Sequence, residues 1–412
     1  MQTGDRIRLT ITDLAYGGDG VGRAPDGRAV FAPFSAVGDD LEVTVCEVRK
    51  RHARAHISEV LAAGPGREAP ACPLFGACGG CCYQHLDYAV EAAAKQRQFG
   101  QLLRRIGGVN LCGAGSRPPA LALAPAAYGY RNKLVLEPLA AADGTPDFGF
   151  HALDAAALLP VGNCPLAAPE INALLPAAKQ TALAAAGDPP HARDRLLLRK
   201  PALGPARAFP ATPPREDEWL DEEWLGRPIK VPAHSFWQTN PAVAAALAHH
   251  LMATFDAEPA DVLIDAYAGA GAFSLAIGAR VRNAILIETD RAALDAARRN
   301  HRDWELAGRS FRPGATERLL RPALDELGAH RARTVVILDP PRGGCEAAAL
   351  EALLASPVRT VLYVSCNPAT LARDLRTLAA PATYRVTHAA WADMFPRTAH
   401  FECVVRLDRV LA

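Results

Sequence analysis

At the start of the chain, apolar side chains fall at alternate positions. Ile7, Leu9 and Ile11 are separated by polar neighbours, the pattern of a strand with one face buried. Glycine turns follow at Tyr16-Gly17-Gly18-Asp19-Gly20 and Pro25-Asp26-Gly27, and further strands are predicted at Ala29 to Phe31 and Leu41 to Val48. Residues 1–61 therefore read as a small all-β unit. The period then changes. Val90, Ala94, Phe99, Leu102 and Ile106 give a helix from about Asp87 to Ile106 its apolar face, and Gly107-Gly108 ends it. Residues 120–215 are rich in alanine and proline and show no clear period, and the prolines between Pro201 and Pro214 read as a linker. From about residue 228 the pattern changes again. Val262 to Ile264, Ala284 to Ile287, Thr334 to Leu338 and Thr360 to Val364 are continuous apolar runs of strand length. Helical stretches at 241–255, 291–302 and 347–354 alternate with them. That alternation predicts an α/β domain with a parallel sheet between two helical layers. The expected division is 1–61, 62–215 and 216–412.

Composition narrows the class. Half of the 412 residues are hydrophobic and 6% aromatic, as in a globular enzyme. No run approaches the roughly 20 apolar residues of a membrane span, and Met1 to Arg6 is not the start of a signal peptide. The expectation is a cytoplasmic monomer. The net charge of +1 says little about partners, so only local clusters count. One such cluster is Arg49, Lys50, Arg51, His52 and Arg54, beyond the strand that ends at Val48. The order of strands and glycine turns in residues 1–61 resembles the TRAM module, an OB-like barrel, which implies an RNA-binding surface.

In a parallel α/β sheet, ligands bind at the carboxyl ends of the strands. The first strand ends in Asp265-Ala266-Tyr267-Ala268-Gly269-Ala270-Gly271, a glycine loop with no Gly-Lys-Ser/Thr, so it is not a P-loop. The second ends in Glu288, placed to accept from ribose hydroxyls. The third ends in Asp339-Pro340-Pro341-Arg342-Gly343-Gly344, whose rigid prolines fix a carboxylate beside the cofactor. The fourth ends in Ser365-Cys366-Asn367-Pro368. A lone cysteine is more often inert packing, but Cys366 lies after a strand, ahead of a helix and across from Asp339, where a substrate belongs.

This combination resembles the uracil-C5 RNA methyltransferase family, with matches spread over most of the chain. His234-Ser235-Phe236-Trp237-Gln238-Thr239-Asn240 is similar to the family segment whose glutamine touches S-adenosylmethionine. Asp265 to Gly271 is similar to its glycine loop, with Tyr267 in the cofactor-contacting position. Asp339 to Arg342 and Ser365 to Pro368 match its Asp-Pro-Pro-Arg and nucleophile motifs. Asp393-Met394-Phe395-Pro396-Arg397-Thr398-Ala399-His400-Phe401-Glu402 matches its C-terminal signature. The loop departs from the pattern at Ala268 and Ala272. The resemblance implies a Rossmann-like class I methyltransferase domain with S-adenosylmethionine held by Gln238, Tyr267, Glu288 and Asp339. It implies Cys366 as nucleophile toward carbon 6 of a uracil and Glu402 as the base that takes the carbon 5 proton. Two rivals remain. An amino-group methyltransferase needs no such thiol and ends its Pro-Pro segment in an aromatic, and an inactive RNA-binding scaffold has no use for Cys366 and Glu402.

Ten cysteines are many for a reducing compartment, where a tight grouping points to metal or catalysis. Cys72, Cys78 and Cys81, joined by Cys164, fit structural zinc or an iron–sulfur cluster equally well by spacing. The segment Cys78 to His85 resembles the iron–sulfur motif of the ribosomal RNA branch of the family. That resemblance implies a [4Fe–4S] cluster in the central domain and 23S rRNA as substrate, with the tRNA T-loop as the alternative. Cys46, Cys112, Cys345 and Cys403 receive no role.

Overall fold

The computed structural model describes residues 1–412 except 111–117, 142, 156, 186–193, 211–217, 256–260, 381–382 and 411–412. Cys112 thus lies outside the described residues. The predicted N-terminal β unit is a closed barrel of β1 (Arg6–Leu14), β2 (Gly20–Arg23), β3 (Ala29–Ala32), β4 (Asp40–Val48) and β5 (His52–Ala62), in the order β1-β2-β3-β5-β4. Its interior is filled by the alternating set that includes Leu9, Ile11, Val30, Leu41, Val43 and Val45. The basic cluster sits at the β4–β5 hairpin with its side chains exposed.

Helix α1 (Tyr88–Arg105) is capped by Asp87, which accepts from the Ala89 amide at 2.7 Å. A short strand, β6 (Ala120–Ala122), follows. The alanine-rich stretch then builds β7 (Lys133–Ala140), β8 (Pro146–His151), β9 (Leu158–Pro160), α2 (Pro169–Ala185), β10 (Leu196–Arg199) and β11 (Arg207–Pro210). These strands form an antiparallel sheet in the order β11-β10-β7-β8-β9, with α2 on one face. The linker expected at 201–214 is therefore corrected over 207–210, while 211–214 lie outside the described residues. Arg207–Pro210 pairs with β10 as an edge strand, a place where proline is tolerated.

The third part opens with the hairpin β12 (Trp219–Trp224) and β13 (Arg227–Pro232) and α3 (Pro241–Thr254). Then come β14 (Val262–Ala266), α4 (Ala272–Gly278), β15 (Asn283–Glu288), α5 (Arg291–Asp303), β16 (Arg309–Pro313) and α6 (Thr316–Leu327). The chain ends with β17 (Thr334–Leu338), α7 (Ala347–Ala355), β18 (Thr360–Ser365), α8 (Pro368–Ala379), β19 (Tyr384–Ala392) and β20 (Glu402–Arg409). All four predicted strands are present and fully buried, which explains their unbroken apolar runs. The sheet order is β16-β15-β14-β17-β18-β20-β19-β6. Strand order reverses between β14 and β17, which opens a crevice at their carboxyl ends. Beyond β18 the sheet turns antiparallel, and β6 from the central part closes its edge alongside β19. No helix among the described residues is long and apolar enough to cross a membrane.

Candidate active site

The loop after β14 turns sharply into α4, with Tyr267, Gly269 and Gly271 at φ values of 66°, 54° and 87°. Position 271 must be glycine, because a Cβ there would lie 2.9 Å from Cε1 of the buried His301. Glu288, at the end of β15, fastens this loop. One carboxylate oxygen accepts from the Gly269 amide at 2.9 Å, and the other from the Asp290 amide at 2.8 Å. Asp290 caps α5 and accepts from the Ser235 hydroxyl at 2.7 Å, joining the 234–240 segment to the same corner. Gln238 is buried, and its carbonyl accepts from Asn132 Nδ2 at 2.9 Å. Phe236 beside it is 62% exposed, a large ring left open to solvent that sequence reading passed over. The Tyr267 hydroxyl lies against the Cys345 thiol. Ala268 and Ala272 pack into the core, so each small side chain fills a site beneath the loop.

Carboxyl groups converge at the switch point. Asp265 accepts from the Ser274 amide at 3.0 Å, and burial pushes its pKa up to about 7. Asp339 is raised to about 8, first by burial and then by the charges of Asp265 and Glu288.

Cys366 follows β18 directly, and the antiparallel register pairs Ser365 with Cys403. Cys366 and Glu402 therefore flank one rung of the ladder. Glu402 is buried, and its Oε2 has no hydrogen-bond partner among the described residues. Burial raises its pKa well above the carboxylate range, Asp339 adds to the rise, and Arg342 opposes it. The Cys366 thiol is pushed up to about 12 by burial and by the charges of Glu402 and Asp339, again against Arg342. Asn367 locks the loop after β18 in place. Its Oδ1 accepts from the Ala369 amide at 3.1 Å, capping α8, while its Nδ2 donates to the Arg342 carbonyl at 3.0 Å. Asp374 holds the Arg342 loop from below, accepting from the Cys345 amide at 2.9 Å and the Tyr363 hydroxyl at 2.7 Å.

Residues 227–410 match the tRNA (Uracil-5-)-methyltransferase family and residues 1–58 the TRAM domain. The 23S rRNA (uracil(1939)-C(5))-methyltransferase RlmD of Chromohalobacter salexigens is 33% identical, over 97% of this chain and 89% of that protein. An uncharacterized RNA methyltransferase of Synechocystis is 30% identical, over 99% of this chain and 97% of that protein. The chain belongs to the RNA uracil-C5 methyltransferase family. It is an S-adenosylmethionine-dependent enzyme acting on RNA. The fold agrees with the crystal structure of Pyrococcus abyssi tRNA (uracil-54, C5)-methyltransferase bound to S-adenosyl-L-homocysteine. The two share a TM-score of 0.71 at 22% identity, over 97% of this chain and 100% of that one.

In this methyltransferase the loop before Glu402 is held by a buried ionic cluster that sequence reading missed. Lys95 on α1 donates to Glu91 and Asp393, each at 2.8 Å, and to the Phe395 carbonyl at 3.2 Å. Glu91 also accepts from the Arg397 amide at 2.7 Å. In sequence, Glu91 and Lys95 form an ordinary surface-type i,i+4 pair, and nothing local reveals that both are fully buried.

The four singled-out cysteines come into one neighbourhood. Cys81 feels the charges of Cys164 and Cys78, and Cys164 that of Cys72. Among the described residues, however, no three His, Cys, Asp or Glu side chains converge as ligands of one metal ion. Cys82 belongs elsewhere and packs against the small core of Leu14, Ala36, Tyr83, Leu86 and Ala94. The cysteine segment is also tied to the active-site loop, because the amides of Cys82 and Tyr83 donate to the Arg397 carbonyl at 3.0 and 3.2 Å.

Proposed function

We propose that this methyltransferase modifies carbon 5 of one uridine in 23S rRNA, with Cys366 as nucleophile and Glu402 as base. The observation that supports the reading is the Ser365–Cys403 register, which makes residues 366 and 402 the adjoining positions at the two strand ends. Gln238, Tyr267, Glu288 and Asp339 are the residues proposed to hold S-adenosylmethionine. The glycine cradle at Gly271 and the acid at the end of β15 fit such a ligand. When bound, it supplies an electrophilic methyl group.

The chain's own groups supply the rest. Once the Cys366 thiol has given its proton to solvent, a loss favoured by the Arg342 guanidinium, a sulfur–carbon 6 bond forms and the electron pair of the 5,6 double bond shifts into an enolate. Carbon 5 thereby becomes nucleophilic enough to take a methyl group. The Glu402 carboxylate then removes the carbon 5 proton, the double bond re-forms and the sulfur–carbon 6 bond breaks. A base inside a helix is out of reach of this crevice, so the nucleotide must be flipped or splayed. Replacing Glu402 by Gln should permit addition and methyl transfer but stall elimination. A denaturation-resistant enzyme–RNA band carrying the methyl label is expected, and free turnover by Glu402→Gln would show that another group is the base.

The 23S rRNA target is favoured over a tRNA T-loop by the barrel together with the cysteine group, and by the printed activity of the RlmD relatives. Mapping 5-methyluridine in RNA from cells lacking the gene would decide between them. Cys72, Cys78, Cys81 and Cys164 are proposed to hold a [4Fe–4S] cluster in the central domain. The likeness of Cys78 to His85 to the iron–sulfur motif of the ribosomal RNA branch supports this reading over zinc, as does the shared neighbourhood of the thiols. Anaerobically purified protein should be brown and contain about four irons per chain. One zinc and no iron would overturn this assignment. The division at about 61 and 215 belongs to the same reading, with β6 lent by the central part to the catalytic sheet.

A further inference from the structure

The turn after the first barrel strand reaches the catalytic loops through Tyr16. β1 ends at Leu14, and the turn that follows carries Tyr16 out of the barrel. The Tyr16 hydroxyl donates to Asn367 Oδ1 at 3.3 Å, and its ring stands edge-on to Phe401 with centroids 6.3 Å apart. Asn367 and Phe401 are the chain neighbours of Cys366 and Glu402. The hydroxyl is close enough to the reacting groups that, after burial, Cys403, Cys366 and Arg342 are what most affect its ionisation.

The turn is held on several sides. Gln98 on α1 donates to the carbonyls of Leu14 at 3.2 Å and Ala15 at 2.9 Å, and Arg97 pairs with Asp13 at 2.7 Å. The Ala15 amide donates to the Asp19 carbonyl at 2.8 Å. Gly18, at φ 104°, lies so close to Cys82 that a Cβ would sit 2.8 Å from that residue's Cβ. The barrel thus presents Tyr16 in a fixed place.

Asn367 is a junction. Its Oδ1 takes both the Ala369 amide and the Tyr16 hydroxyl, and its Nδ2 reaches the Arg342 carbonyl. We propose that Tyr16 is a positioning residue of the uridine site, contributed by the barrel, which aligns the Asn367 side chain and so aims the adjoining Cys366 at the flipped base. The proposal rests on Cys366 being the nucleophile.

The test uses the full-length enzyme with in vitro transcripts of 23S rRNA and of tRNA made with 5-fluorouridine. Fluorine at carbon 5 cannot leave as a proton, so the methylated adduct on Cys366 is trapped and its formation can be timed. Tyr16→Phe keeps the ring on Phe401 and removes only the hydroxyl. Adduct formation should slow about five- to tenfold, the worth of one hydrogen bond. The KM for RNA, the affinity for S-adenosylmethionine and the melting temperature should stay at wild-type values. Glu42→Ala, which breaks the exposed barrel pair with Arg6, should form adduct at the wild-type rate. Wild-type kinetics in Tyr16→Phe, or a loss confined to KM, would overturn the positioning role while leaving the covalent mechanism intact. If the wild-type enzyme gave no adduct on either transcript, the covalent mechanism itself would fall, and this proposal with it.

Discussion

Two groups of acids lie near the C-terminal loop, one built around a buried cation and one without. In the first, Glu91 and Asp393 share Lys95, and all three side chains are fully buried. Burial pulls the Lys95 pKa down, but the two acids outweigh it and the ammonium is held charged. In the second, Asp265, Asp339 and Glu402 have no buried cation partner among the described residues, and the exposed Arg342 opposes the rise at Glu402. A carboxyl group that meets a cation becomes scaffold, because its charge is spent on a fixed partner. One that stays desolvated and unpaired has a raised proton affinity, and that suits it to accept a proton. Both groups flank the same loop, so the paired set holds still what the unpaired set must act upon.

The largest expected effect is at the centre of the unpaired group. Cys366→Ala should abolish methyl transfer while leaving S-adenosylmethionine affinity within a few fold, as measured by calorimetry, because the thiol stands apart from the Glu288 corner. An alanine variant with wild-type turnover would end the covalent mechanism. Next comes the paired group. Lys95→Met strands two acids in the interior and should cost about 3–5 kcal/mol of stability, the penalty for removing one partner of a buried ion pair. Thermal unfolding followed by circular dichroism would show it, and an unchanged midpoint would mean that the pair does not brace the loop.

The last expected effect is a pH dependence. Folding raises the Asp339 pKa from 3.8 to about 8, so between these values the folded state holds the proton more tightly than the unfolded chain. This group's contribution to stability is therefore full below pH 4 and is lost as pH rises toward 8. Asp339→Asn should flatten that decline in urea unfolding series across the same range. A slope identical to wild type would assign the decline to other groups.

What could be read from sequence follows from range. The four parallel strands were legible because burial on both faces leaves unbroken apolar runs, and their polar end residues pointed to the crevice. Leu134, Val135 and Leu136 of β7 were not, because alternate residues join two different core clusters and no polar face remains. The pairing of Ser365 with Cys403 was equally hidden, since register between distant strands leaves no local mark. Tyr16 looked like a turn residue. Its role lies in a contact to Asn367 across 351 positions of sequence.

The clasp between Lys95 and Asp393 also has a bearing on how the chain is made, since it joins residues 298 positions apart. On a ribosome working at roughly 5–20 residues per second, α1 emerges about 15–60 s before its partner exists. The barrel, whose strands all lie within residues 6–62, can close on its own during that interval. Lys95 on α1 cannot complete its cluster, and β6 has no strand neighbour until β19 appears. Assembly of the catalytic half is thus the last event of synthesis, and it gathers segments that have already stood in solvent for most of the molecule's construction.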